Sequence, residues 1–266
     1  MYATLRNALS LFALFALPGT ALPQPSVHTI ETRPGVQLRF LYVPAENPVA
    51  AAVLFQGGYG KIGVFANGSI REEGFLSGGG ARFARQGISV VIPDAPSDRN
   101  TLASFRDTAD HARDNAALIR FLRERTRQPV WTVGISNGAL SAAAAAAHLG
   151  EQGPDGVVLM SALTQEGRNR QAAHVVTQAA LQDIRVPVLL VHHRNDGCYV
   201  TPFSGMPGLQ AALTGAPKVE LLAIEGGNGE GNACHTGHHQ FLAQEDAVTE
   251  ATGDTMRRLV PAAKSP

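Results

Sequence analysis

Gly134-Ile135-Ser136-Asn137-Gly138 follows the apolar run Val130-Trp131-Thr132-Val133 and precedes Ala139-Leu140-Ser141 and an unbroken alanine stretch, Ala142 to Ala147. The first run reads as a short buried strand and the alanines as a helix. The pentapeptide therefore falls where a strand ends and a helix begins. In that setting G-x-S-x-G is a tight turn that lifts a serine hydroxyl clear of the sheet, with glycines where side chains would meet neighbouring backbone. The helix start behind Ser136 favours negative charge developing beside it. Ser136 is thus a candidate nucleophile.

Elsewhere the sequence repeats this strand–helix logic. Val27 to Thr32 and Gln37 to Val43 mix apolar and polar residues around Arg33-Pro34-Gly35 and predict an antiparallel hairpin. Ala50 to Phe55 reads as a strand buried on both faces, and Ile88 to Ile92, Gly156 to Met160, Pro187 to Val191 and Val219 to Ile224 read as further strands. A short helix is expected around Arg82 to Arg85 and a closing helix over Ala243 to Leu259. Asp107 to Arg127 shows helical spacing, with its charges read as a solvated face. Alternating strands and helices predict an α/β fold with a mostly parallel sheet covered on both sides. The interval between the strands at 156–160 and 187–191 leaves little room for a lid.

At 266 residues and 44% hydrophobic content the chain suits one α/β domain, from residue 22 to 266. Lys plus Arg and Asp plus Glu number 22 each, which gives no electrostatic footprint for nucleic acid. Arg6 followed by the apolar run Ala8 to Leu17 and by Gly19 and Ala21 reads as a secretory signal over residues 1–21. The run is too short for a membrane span, and no other stretch is long and apolar enough. Export to the periplasm or the medium would let the two cysteines, Cys198 and Cys234, pair. The chain-entropy treatment gives such a bridge roughly 4 kcal/mol.

A serine needs a base, and the base an orienting acid. Asp196 stands in His192-His193-Arg194-Asn195-Asp196-Gly197, which leads off the strand ending at Val191. After Val219 to Ile224 come His235, His238 and His239; His239 is favoured as the base, then His238, then His235. The order Ser, Asp, His is that of the α/β-hydrolases. An oxyanion hole needs two preorganised N–H donors. These are assigned to the amide of Asn137 and to that of Gly58, with Tyr59 the alternative, in Gln56-Gly57-Gly58-Tyr59-Gly60.

Together Gln56-Gly57-Gly58, the turn around Ser136, the loop at Asp196 and the final His-rich loop resemble the α/β-hydrolase superfamily over nearly all of residues 22–266. Pro93-Asp94-Ala95-Pro96-Ser97-Asp98-Arg99, His192 to Cys198 with Thr201-Pro202-Phe203, and Cys234 with His238-His239-Gln240-Phe241 are similar to a group of exported bacterial hydrolases. In that group the last motif is usually His-His-Gly-Phe, and its second histidine is taken as the base. Gln240 stands here in place of the glycine. The resemblance implies a serine hydrolase and names no substrate. A Cys198–Cys234 bridge would tie the acid loop to the histidine loop.

The expectation is hydrolysis of a small, accessible ester through Ser136, His239 and Asp196, with no cofactor and no metal. Two other readings stand beside it. One is a metal site built from His192, His193, His235, His238, His239, Asp196 and Cys234. The other is an inert hydrolase-fold binding protein. His174 and Trp131 are read as packing residues, and Asp94 and Asp98 could line the site. Oligomeric state is not encoded in any motif.

Overall fold

The computed structural model describes residues 24–167 and 174–260. The expected leader over 1–21 lies outside these residues. The elements in chain order are strands β1 (Ser26–Arg33), β2 (Val36–Val43) and β3 (Ala50–Phe55), helix α1 (Gly80–Arg85), β4 (Ile88–Pro93), α2 (Ala109–Thr126), β5 (Val130–Ile135), α3 (Gly138–Leu149), β6 (Gly156–Met160), β7 (Val188–His193), α4 (Met206–Ala212), β8 (Val219–Ile224) and α5 (Glu245–Leu259). They build one eight-stranded sheet in the order β1-β2-β4-β3-β5-β6-β7-β8. β1 and β2 form the antiparallel edge, and β4 through β8 run parallel with β3 among them.

The two-residue period of a strand divides the core in two. In β3, Ala51, Val53 and Phe55 pack on one face with Leu118, Ile119 and Leu122 of α2 and the alanines of α3. Ala50, Ala52 and Leu54 pack on the other with Phe83 of α1 and Val248 and Met256 of α5. β5, β6 and β7 alternate the same way, which is why their sequences read as unbroken apolar runs. Alanine gives α3 a thin face, so the helix lies close on the sheet, and Thr132 Oγ1 donates to Ala142 O at 3.1 Å.

This topology places the site. β3 leads to α1 on one face, whereas its neighbour β5 leads to α3 on the other. Their carboxyl ends therefore part company, and a crevice opens between them, as at the switch points of other open α/β sheets. The Gln56 to Gly60 loop and Ser136 both emerge there. Between β6 and β7 the described residues hold only short 3-10 turns, and among the described residues no lid domain stands over the crevice. No helix among the described residues is long and apolar enough to cross a membrane.

Three expectations need correction. His192 and His193 are not in a loop: β7 continues through them, pairing with Ala223 and Ile224 of β8, and both are buried. Asp114, read as part of a solvated face, is 1% exposed because Arg33 folds over it from β1. His174 is half-buried and bridges Ser104 Oγ and Gln178 Oε1 instead of packing in a core. Trp131 is fully buried against Gly156, as expected of a packing residue.

Candidate active site

Ser136 holds a left-handed backbone, φ 55°, which a side chain adopts only against a cost of about 1–3 kcal/mol. Its neighbours explain how. A Cβ on Gly134 would lie 2.1 Å from Gly138 O, and one on Gly138 would lie 2.0 Å from Phe55 O. Both positions demand glycine, and the close approach they allow locks the turn. The Ser136 amide donates to Met160 O at 2.9 Å, and α3 starts two residues on.

Asp196 and His239 meet directly. His239 Nδ1 lies 2.9 Å from Asp196 Oδ2. Thr201 Oγ1 donates to the same oxygen at 2.8 Å and the Cys198 amide to Oδ1 at 2.9 Å. Burial pushes the Asp196 carboxyl up, but the hydrogen bond and charge of His239, the Cys198 amide and Thr201 together hold it below the usual aspartate value. His239 is fully buried, and its Nε2 has no protein partner. No hydrogen bond among the described residues joins that nitrogen to Ser136 Oγ; such bonds are often unformed without substrate.

The other histidines have different work. His192 Nε2 donates to Thr201 O at 2.8 Å, and burial keeps the ring neutral by lowering its pKa. His193 accepts from the Asn195 amide and donates to Gly226 O, and His238 stacks on it with ring centroids 4.0 Å apart. His238 also donates through Nδ1 to Asn195 O. His235 is exposed on the cleft wall. Of the three histidines after β8, His239 alone touches Asp196. Cys234 is bonded to Cys198, so with His192 and His193 committed to carbonyls the imagined ligand set does not converge. No metal-holding group of three His, Cys, Asp or Glu occurs among the described residues.

Several supports have roles that the sequence did not announce. Ser161, buried after β6, donates to the backbone oxygen of His239 at 3.0 Å. Gln240 Oε1 accepts from the Phe75 amide at 3.0 Å, while the left-handed residue is Phe241, φ 56°. Glycine is therefore not required at position 240, and its replacement adds a tie. Gln56 Oε1 accepts from Leu76 and Ser77 amides, and Asp94 accepts from those of Gly63 and Val64. These fix the segment 61–79 as one wall of the site. Asp94 is thus a strut and Asp98 an ion-pair partner of Arg33.

The Asn137 side chain donates to Gly58 O at 3.3 Å, joining the start of α3 to the glycine loop. Arg106 lies beneath that loop and donates to Gln56 O and Gly58 O at 3.2 Å each. Above it opens a cleft of about 810 Å³ lined by Ser136, Asn137, Gly58, Tyr59, Tyr199 and the Cys198–Cys234 bridge, among others. Tyr59 and Tyr199 are 57% and 54% exposed at its mouth.

No protein-family model matches the sequence, and no curated protein matches it. Solved structures do. Est1E from Butyrivibrio proteoclasticus superposes with a TM-score of 0.59 at 14% identity, over 88% of this chain and 98% of that one. Dienelactone hydrolase from Anabaena variabilis gives 0.61 at 14% identity, covering 90% and 100%. The α/β hydrolase GrgF from Penicillium sp. gives 0.66 at 11% identity, covering 90% and 99%. The chain has the α/β-hydrolase fold.

Proposed function

We propose that this chain is a serine hydrolase that cleaves a small ester by acyl transfer. The observation that carries the reading is His239, held through Nδ1 by Asp196 with Nε2 left unpartnered, in a fold whose left-handed strand-to-helix turn presents Ser136. Ser136 Oγ attacks the acyl carbon and gives its proton to His239 Nε2. The Asn137 and Gly58 amides take the charge on the carbonyl oxygen. Collapse breaks the bond to the alcohol oxygen, which leaves with the proton from His239. Water then repeats the sequence on the acyl-enzyme and releases the acid. Asp196 keeps the imidazole in the tautomer that accepts at Nε2 and stabilises it once charged.

A cleft over which the described residues set no lid suits an accessible, partly polar substrate, and the chemistry needs no metal or cofactor. Hydrolases among the structural neighbours support the class. The disulfide supports export of a mature chain beginning near residue 22. The test is labelling of the mature protein with a fluorophosphonate, beside Ser136→Ala and His239→Ala. Wild type should label and both variants should not. A folded wild type that fails to label would leave the inert binding protein as the reading.

A further inference from the structure

Arg106 is 4% exposed, and no carboxylate among the described residues pairs with it. Burial alone pushes its guanidinium down to about 9. The nearest ionisable groups give no relief. Asp114, lining the same small internal space, is committed to Arg33, and His111 is held neutral, pushed down to about 3 by burial and by the cations themselves. A buried cation without a counter-ion is costly, and an apolar side chain would fill the space at less expense. Its three acceptors say what it joins. Nη1 donates to Ser141 Oγ on α3 at 2.8 Å, and Nη2 donates to the carbonyls of Gln56 and Gly58. Gly60 is without a side chain where a Cβ would stand 2.7 Å from that same Nη2.

From this geometry we infer that Arg106 is the positioning residue of the oxyanion hole: it sets the spacing between the glycine loop and the start of α3, and it holds the two peptide units that flank the Gly58 amide. The inference rests on the hydrolase reading above. Ser141 lies one helical turn beyond Asn137, so Arg106 ties the element that carries one oxyanion donor to the loop that carries the other. Gln56 O and Gly58 O belong to the two peptide units on either side of the one that carries the Gly58 N–H, so the guanidinium fixes that amide's orientation from both sides. By drawing electron density from the Gly58–Tyr59 unit it makes the Tyr59 N–H, the alternative donor, the better one. Because no carboxylate neutralises it, its field is available to the negative oxygen of the tetrahedral intermediate and is fixed before reaction begins.

The experiment compares wild type, Arg106→Met, Arg106→Lys and Ser141→Ala in labelling rate with a fluorophosphonate and in kcat and KM on a short-chain acyl ester, with thermal midpoints measured alongside. Arg106→Met should lower kcat and the labelling rate by about 10²-fold with KM nearly unchanged. Arg106→Lys keeps the charge and should recover roughly a tenth to a third of the lost rate. Ser141→Ala, which removes only the anchor on α3, should cost kcat a few-fold while leaving the fold intact. A folded Arg106→Met with wild-type kcat, or a loss confined to KM, would overturn the inference. If Arg106→Met does not fold, Ser141→Ala decides: an unchanged kcat overturns it. Wild type that labels while Arg106→Met labels as fast sinks this inference alone. Wild type that never labels sinks the hydrolase reading, and this with it.

Discussion

Two buried aspartates in this chain have opposite characters. Asp114 on α2 is 1% exposed and accepts from Arg33 at 2.9 and 3.0 Å and from the Thr32 hydroxyl. Arg33 in turn grips Asp98. Asp196 is 9% exposed and accepts from Thr201, from the Cys198 amide and from His239. Burial and hydrogen-bond saturation are alike in both. The partner differs. A guanidinium does not give up its proton near neutrality, so Asp114 can only clasp the β1–β2 hairpin to α2. An imidazole with one nitrogen held and the other unpartnered can take a proton, so Asp196 holds a group that can do chemistry. A buried acid is thus no sign of catalysis by itself; its partner decides.

The comparison can be broken by exchanging one acid at a time. Asp196→Asn should lower the labelling rate of Ser136 by roughly 10⁴-fold, because the amide no longer favours the tautomer accepting at Nε2. Its thermal midpoint at neutral pH should fall slightly, by the stability that the lowered Asp196 value supplies. A variant that labels within tenfold of wild type would show that Asp196 is as structural as Asp114.

The two regions are also fastened differently, one by a guanidinium and the other by the Cys198–Cys234 bond between acid loop and histidine loop. Replacing both cysteines by serine should remove about 4 kcal/mol of stability and slow labelling of the molecules that remain folded, since His239 and Asp196 lose their common tether. Equal labelling per folded molecule would reduce the bridge to a stability device. Asp114→Ala should do the reverse: about 3 kcal/mol of stability lost, because Arg33 keeps its charge without its main partner, and the labelling rate of folded protein unchanged. Denaturant melts and active-site titration separate the two quantities.

The smallest effect is one of pH. Asp196 sits below the ordinary aspartate value, so the folded chain holds its carboxylate more firmly than the unfolded one. The stability from this shift is therefore complete above about pH 4 and is lost as pH falls through the lower folded value. Thermal midpoints of wild type and Asp196→Asn measured downward from pH 5 should converge as acid is added. Parallel curves would contradict the shift.

The region around Ser136 was legible in the sequence because what shapes it is local. Gly134 and Gly138 are required by backbone within a few residues and by the adjacent end of β3, and the alanines that follow can only be a helix. The contact between Asp196 and His239 was anticipated by their order after β7 and β8. Their helpers were not. Thr201, Ser161 and Arg106 are ordinary polar residues in sequence, and each acts across 35 or more positions or through a partner two strands away. Asp114 looked like one charge among many on a helix, because nothing near it in the chain announces Arg33. His192 and His193 looked like loop residues because the apolar run ends at Val191, yet Thr201 O and Gly226 O accept from their rings and let β7 continue through them.

The sequence by itself determined the alternation of buried strands and helices, the turn at Ser136 and the chain order of serine, acid and histidine, since these follow from periodicity and from steric limits on neighbouring residues. Tertiary structure decided which histidine touches Asp196, which charges are buried and what stands beneath the glycine loop. Those outcomes depend on the pairing of β3 between β4 and β5, which brings distant residues to one crevice, and a contact between distant residues leaves no mark on the pattern of either one's neighbours.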